Sequence, residues 1–294
     1  IGARAGFRQN LASGVDGNVS IGYTANFSNI TGGANISIGY AAGYGVANHS
    51  PGNNINIGYG ASQYISVGYQ NVAIGHAAFE NAKSGSINVI IGQEAGRYTT
   101  GSYNTFVGGY SGRGGTTSAP FSSGQYNTAV GYYALNAFTT AVHNVTFGND
   151  SMRTNTSGNY NTAYGSSALR TNTTGGANVA IGYAAARDLD GGDYNVVVGN
   201  GAGYNLGNVD NCILIGDEAG SAINNTGANG TVAVGHEALK DLTSGGSNTA
   251  LGYQAGTNMT TGGNNVAIGY NSLVNAVDTC NSNIAIGSQA MITV

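Results

Sequence analysis

The phrase Asn178-Val179-Ala180-Ile181-Gly182 returns as Asn195-Val196-Val197-Val198-Gly199, seventeen residues later. That interval governs the whole chain. The glycine that closes each such burst stands at positions 2, 22, 39, 58, 75, 92, 108, 131, 148, 165, 182, 199, 216, 235, 252, 269 and 287. Ten of the sixteen spacings are seventeen residues, and the others run from 16 to 23. Low-complexity disorder would keep a composition without keeping a register. A fixed period with a few small insertions instead marks a solenoid, whose loops absorb the extra residues. Residues 1–294 are therefore read as one continuous series of seventeen coils.

The columns of the repeat carry the local structure. Branched apolar residues recur two apart, as in Val19 and Ile21, Ile36 and Ile38, or Val179 and Ile181. Period two predicts a short strand with one buried face. The branched pair is assigned to that buried face. The small residue between them (Ser37, Ala73, Ala129, Ala180) is assigned to a face that meets solvent or a close neighbour. Three residues after the marker glycine every coil has Ala or Ser, from Ala5 to Ala290, which implies tight contact there. The next position is mostly Gly (Gly43, Gly96, Gly203) or a large aliphatic residue (Leu135, Leu169, Leu239), a corner turned by glycine or plugged by a side chain. Turn-rich segments such as 173–176 and 243–246 close the coil.

The fold class that follows is all-β, a parallel β-solenoid or β-roll with about 17-residue coils. Sixteen steps of ~4.8 Å make a rod of roughly 75 to 80 Å. Such a coil offers only a thin core of its own. Several copies are therefore expected to pack along the face of small residues, most simply as a side-by-side homotrimer. The chain opens inside one coil and stops inside another, so an excerpt of a longer fibre is expected.

Four stretches resemble known repeats: Asn178–Tyr183 (NVAIGY), Asn127–Leu135 (NTAVGYYAL), Asn248–Gly256 (NTALGYQAG) and Asn283–Ala290 (NIAIGSQA). They are similar to the head repeats of trimeric autotransporter adhesins, the YadA-like group, and to repeats of bacteriophage tail fibres. The resemblance implies a trimeric parallel β-roll on a surface that touches cells. The function expected is a structural fibre that recognises a host surface, the shaft or receptor-binding part of a tail fibre on a virion. A bacterial surface adhesin head is the first alternative. Its partners are further copies of itself and a cell-surface polysaccharide or receptor.

Charge and composition exclude other classes. A net charge of −4 with nine Lys and Arg lacks the basic clusters of a nucleic-acid groove. No apolar run approaches the ~20 residues that span a membrane, so membrane insertion is not expected. No His or Cys pair has metal-ligand spacing, and no cofactor is expected. The chain is read as not an enzyme. One alternative is a fibre-borne polysaccharide depolymerase: Glu218 and Glu237 share a column in adjacent coils, which places carboxylates ~5 Å apart, near the separation in retaining glycosidases.

Ligand candidates come from three patterns. Tyr132 and Tyr183 belong to a column after the marker glycine, shared with Tyr23, Tyr40, His76 and His236, whose rings suit either ring-on-ring cover or sugar stacking. Arg153, Arg170 and Arg187 occupy one slot in three consecutive coils, with Arg97 and Lys240 in the same slot elsewhere, and suit an acidic polysaccharide. Pro120 and Phe121 fall in the longest interval and are expected on a protruding loop, while the extra burst Tyr64–Tyr69 is expected to add a strand on a second side. Asn-x-Ser/Thr triplets at Asn18, Asn35, Asn144 and Asn172 follow from composition. Cys212 and Cys280 lie four coils apart, ~19 Å along the axis, too far for a disulfide within one chain.

Overall fold

The computed structural model describes residues 1–8, 17–46, 51–115, 117–118, 121–274 and 280–292. The chain forms two compact units, Ile1–Val145 and Thr146–Val294. The first contains β1 (Val19–Ile21), β2 (Ile36–Ile38), β3 (Ile55–Ile57), β4 (Val72–Ile74), β5 (Val89–Ile91), β6 (Thr105–Val107) and β7 (Thr128–Val130). Each pairs in parallel with the next and in register, so that Ile55, Val72, Val89 and Thr105 form one column. β8 (Val145–Phe147) lies where the chain passes from one unit to the other. The second unit continues with β9 (Thr162–Tyr164), β10 (Val179–Ile181), β11 (Val196–Val198), β12 (Ile213–Ile215), β13 (Val232–Val234), β14 (Thr249–Leu251), β15 (Val266–Ile268) and β16 (Ile284–Ile286). Here too the pairing is parallel and register-true: Val179 meets Val196, and Val196 meets Ile213. No α-helix forms among the described residues. The longer coil between Gly216 and Gly235 takes up its extra residues in a 3-10 turn, Thr226–Ala228, whose Gly227 N–H donates to Asn225 Oδ1 at 2.9 Å.

The strand faces are the reverse of the sequence expectation. The middle residues point inward: Ala73, Ala129, Ala180, Ala233, Val197, Leu214, Ile90 and Phe106 are all fully buried. The branched flanking residues point outward, with Val19 43%, Ile181 40% and Leu251 48% exposed. A seventeen-residue coil encloses a narrow interior: the small column (Ala185, Ala202, Ala219) is fully buried, and Ser151 of that column meets the strand-middle Thr146 hydroxyl to hydroxyl. β-branched residues favour a strand on either face. Their alternation fixed the strand and left its inside undecided.

The interior is filled by exchange of volume between two positions of the same coil. Where the strand middle is large, the corner four residues after the marker is glycine: Ile90 with Gly96, Phe106 with Gly112, Val197 with Gly203, Leu214 with Gly220. A Cβ on Gly96 would lie 3.1 Å from Ile90 Cδ1, and one on Gly112 would overlap the Phe106 ring. In other coils a small middle goes with a large buried corner: Ala73 with Phe79, Ala129 with Leu135, Ala163 with Leu169. Where both are small, as in Ala180 with Ala186 and Ala250 with Gly256, a large residue three positions further on is buried, Leu189 and Met259. The corner is left-handed whichever residue holds it, with φ +56° at Gly96 and +49° at Leu169. Such a conformation costs an ordinary residue about 1 to 2 kcal/mol. Hydrogen bonds between coils offset it, as where Ala184 N–H donates to Ser166 O and Ala186 N–H to Ala202 O, each at 2.9 Å. The marker glycine is forced by approach as well as by φ: a Cβ on Gly58 would sit 2.5 Å from the carbonyl oxygen of Gly75.

A ladder of asparagines runs beside the strands. In the first unit Asn35, Asn54, Asn71, Asn88, Asn104, Asn127 and Asn144 each donate their backbone N–H to the side-chain oxygen of the previous rung, at 2.8 to 3.0 Å. In the second, Asn178, Asn195, Asn265 and Asn283 do the same. The side-chain nitrogen reaches across to the closing turn, as Asn178 Nδ2 does to Gly192 O at 2.8 Å. Cys212 and Thr231 stand in the same column, and Cys212 N–H still donates to Asn195 Oδ1 at 2.9 Å.

Two irregular coils differ from expectation. The stretch Tyr64–Tyr69 adds no strand; Ile65 turns inward and is buried, filling the core position held by Leu189 and Leu206 in later coils. In the long interval, Thr99 and Ser122 form a parallel bridge, and Phe121 lies against Tyr98 with ring centroids 6.1 Å apart. Phe121 is thus half-buried on the coil, held there by ring contact rather than projecting from it. Pro120 lies outside the described residues.

Candidate functional site

Aromatic side chains in one column stand one coil apart, which is within stacking distance. Tyr23, Tyr40, Tyr59 and His76 form a continuous stack with centroids 5.4, 4.8 and 5.4 Å apart. His236, Tyr253 and Tyr270 form another, at 5.0 and 5.4 Å. The stacked edges remain in solvent, with each tyrosine about half exposed. Tyr132 packs edge-on against Tyr110 and Tyr133. Tyr183 is flanked in its column by Ser166 and Asn200, and has no ring neighbour among the described residues.

A second ring column escaped the sequence reading. Tyr103 stacks on Tyr126 at 4.9 Å, and Tyr126 on His143 at 4.8 Å with the ring planes 1° apart. Tyr160 and Tyr194 occupy the same slot in the second unit. The signal was present five residues before the marker glycine. It was obscured because the same column also admits Ala34, Gln70 and Ser247. A third stack, Phe7, Phe27 and Tyr44, has spacings of 5.5 and 5.2 Å.

The basic column exists as read, with Arg113 as a further member. In the first unit Glu80, Arg97, Glu94 and Arg113 form a chain of ion pairs: Arg97 to Glu80 at 2.5 Å, Arg97 to Glu94 at 3.0 Å and Arg113 to Glu94 at 2.8 Å. The two guanidinium groups hold the Glu94 carboxyl below its ordinary range despite the opposing effect of burial, and those carboxylates in turn hold Arg97 above its own. Both arginines also lie over Tyr98, at 5.2 and 5.0 Å from its centroid, and Lys83 sits 5.6 Å from that of Phe121. In the second unit Arg153 pairs with Asp150 at 3.3 Å, and Arg187 pairs with Asp188 at 3.0 Å while covering Tyr204 at 4.3 Å. Arg170, between them, has no carboxylate partner among the described residues. This column is thus part neutralised, with Arg170 as its uncompensated cation.

The acidic cluster is organised around one ammonium group. Lys240 Nζ bridges Glu218 Oε2 at 2.5 Å and Glu237 Oε1 at 2.7 Å. Gln254 donates to Glu237 Oε2 at 2.6 Å, and His236 lies 3.5 Å from Asp217. Hydrogen bonds from Lys240 and Gln254 hold the Glu237 carboxyl below its ordinary range, and the two carboxylates hold the Lys240 ammonium above its own. Glu218 and Lys240 border an open groove of about 380 Å³, together with Tyr204, Ser221 and Asp241.

Cys212 and Cys280 are both free and both buried, Cys212 completely. Burial pushes the Cys212 thiol up to about 11. Among the described residues no group of three or more His, Cys, Asp or Glu side chains is arranged to hold a metal ion, and no helix is long and apolar enough to cross a membrane. No protein-family model, curated protein or solved structure matches the chain.

Proposed function

We propose that the chain is a structural and surface-recognition segment of a fibre, assembled as a side-by-side homotrimer and presenting its ring and arginine columns to a cell-surface polysaccharide. The exposed apolar strand face carries this reading. Isolated proteins rarely expose contiguous apolar patches beyond a few hundred Å². Here the third residue of every strand is apolar or aromatic, as in Ile181, Val198 and Ile215, and the first is apolar except at Thr105, Thr128, Thr162 and Thr249. The two outward rows thus run through Val179, Val196, Ile213 and through Ile181, Val198, Ile215. Two rows on a face one strand wide suit three-fold closure: with the face turned to a common axis, one row meets each neighbour.

The placement on a tail fibre of a virion rests on the repeat resemblance, with a bacterial surface adhesin as the second reading. The Lys240 ammonium bridging Glu218 and Glu237 favours a structural role for this cluster, since it occupies both carboxylates at once. Sedimentation equilibrium of the whole chain tests the assembly: a species of three times 29.4 kDa is expected. Ile181→Asp combined with Ile215→Asp should release folded monomer with unchanged circular dichroism. A monodisperse monomer of the unaltered chain would overturn the assembly.

A further inference from the structure

The ring column in the second unit has a gap. Tyr160 and Tyr194 hold equivalent positions two coils apart, and the position between them is Ala177. The backbone is continuous through the gap: Ala177 N–H donates to Asn159 O at 2.8 Å and Tyr194 N–H to Gly176 O at 3.1 Å. All three residues share the left-handed conformation, with φ +60°, +56° and +61°. A methyl group therefore stands between two rings of the column. Tyr160 and Tyr194 are 64% and 66% exposed, and with Asn159, Thr174, Gly176 and Asp193 they line a groove of about 260 Å³.

We infer that this groove is a binding slot for a single pyranose ring, held between the faces of Tyr160 and Tyr194. Ring spacings of 4.9 and 4.8 Å per coil in the same column of the first unit put two rings one vacancy apart at about 9.7 Å. A flat ring touching both faces at carbon contact distances of about 3.5 to 4.0 Å needs only about 7 to 8 Å between them. A sugar chair, puckered and thickened by its axial hydrogens, fills the larger gap. The floor supplies polar partners for hydroxyl groups. Asp193 Oδ1 accepts from Gly176 N–H at 2.6 Å, and its Oδ2 has no hydrogen bond among the described residues. The inference deepens the surface-recognition reading by naming a subsite and a ligand class, and it is independent of the trimer.

Saturation-transfer NMR on the whole chain tests it, with methyl glycosides of glucose, galactose, mannose and N-acetylglucosamine as probes and phenol as the flat-ring comparison. Transfer to the ring protons of at least one glycoside is expected. Ala177→Tyr should abolish it while keeping or raising the melting temperature, because that variant only completes a column that already accepts tyrosine at the same φ. Tyr194→Ala, a surface truncation, should weaken it about fivefold to tenfold through loss of one stacked face. Transfer that persists undiminished in both variants would remove the slot, and if Tyr183→Ala abolished it instead, surface recognition would survive at another site. Phenol binding in preference to every glycoside would overturn the pyranose assignment. No transfer to any probe would overturn the slot, leaving the wider reading to be judged by binding of the chain to whole polysaccharide.

Discussion

Asparagine is the residue on which coil-to-coil adhesion turns. Asn178 is buried, and its Oδ1 accepts from both Asn195 N–H and Asn195 Nδ2 while its Nδ2 donates to Asn161 Oδ1 and Gly192 O. Asn178→Ala orphans these groups at about 1 to 3 kcal/mol for each one left buried and unpaired. A loss of about 2 to 4 kcal/mol in urea unfolding is expected. A change within error would mean that water replaces the rung. The ladder also accounts for the glycosylation triplets at Asn35 and Asn144, which are buried rungs, and Asn172 is buried in its own closing turn, where its Nδ2 donates to Gly175 O. Cys212 provides a residue-scale prediction with a pH axis. An unfolded thiol ionises near about 8.5, whereas this one keeps its proton to about 11 in the fold. Between those values the unfolded chain binds fewer protons, so stability falls as pH rises through that window. Urea midpoints at pH 8 and 10.5 should differ more for the unaltered chain than for Cys212→Ser. On native labelling Cys280 should react first, being slightly the more exposed of the two. An oxidised Cys212–Cys280 bridge in the folded chain would overturn the stacking of coils.

At the scale of the element, a coil tolerates exchange of volume but no addition to it. Phe106→Ala alone should cost about 3 to 5 kcal/mol through the cavity it leaves. Gly112→Leu alone drives a side chain into the Phe106 ring. Together the two substitutions recreate the arrangement of Ala129 with Leu135, so the pair should be less destabilised than the sum by about 0.5 to 3 kcal/mol. Strict additivity in a double-mutant cycle would show that the two positions do not share one space. This exchange explains what could be read in advance. Period, marker glycine, small column and the two kinds of corner were legible because each is fixed by backbone approach or by φ, and so restricts residue type directly. The direction of the strand was not, because Val and Ile serve a strand equally well inside or outside, and the inward middle position holds Ala in some coils and Ile90, Phe106, Val197 or Leu214 in others. The tyrosine gap at Ala177 was illegible for a different reason. Its meaning lies in the neighbours one coil before and after, and a column that also contains Gln70 and Ser247 does not announce itself as aromatic.

The whole molecule inherits its behaviour from the period. Each coil bonds to the coils before and after it, so stability is close to a sum of coil and nearest-neighbour contributions, and a coil can be removed if every column closes up again. Deleting residues 183–199 joins Gly182 to Asn200, and since Gly182 and Gly199 are equivalent, Ala202 falls three residues after the marker as Ala185 did. Deleting 184–199 removes one residue fewer. It places Gly201 in the small column and Ala202 in the corner, between a strand and a turn that have no slack; insertions elsewhere in the chain are taken up in closing segments, as in the 3-10 turn at Thr226–Ala228. The seventeen-residue deletion should melt within a few degrees of the parent and keep the same state of assembly, because the two apolar rows lose one rung each and remain aligned. The sixteen-residue deletion should lower the melting temperature clearly and expose apolar surface to a fluorescent dye. Equal melting of the two deletions would mean that the register between Gly182 and Ala185 is not fixed. In that case neither the apolar rows nor the spacing of Tyr160 and Tyr194 could be inherited from the repeat.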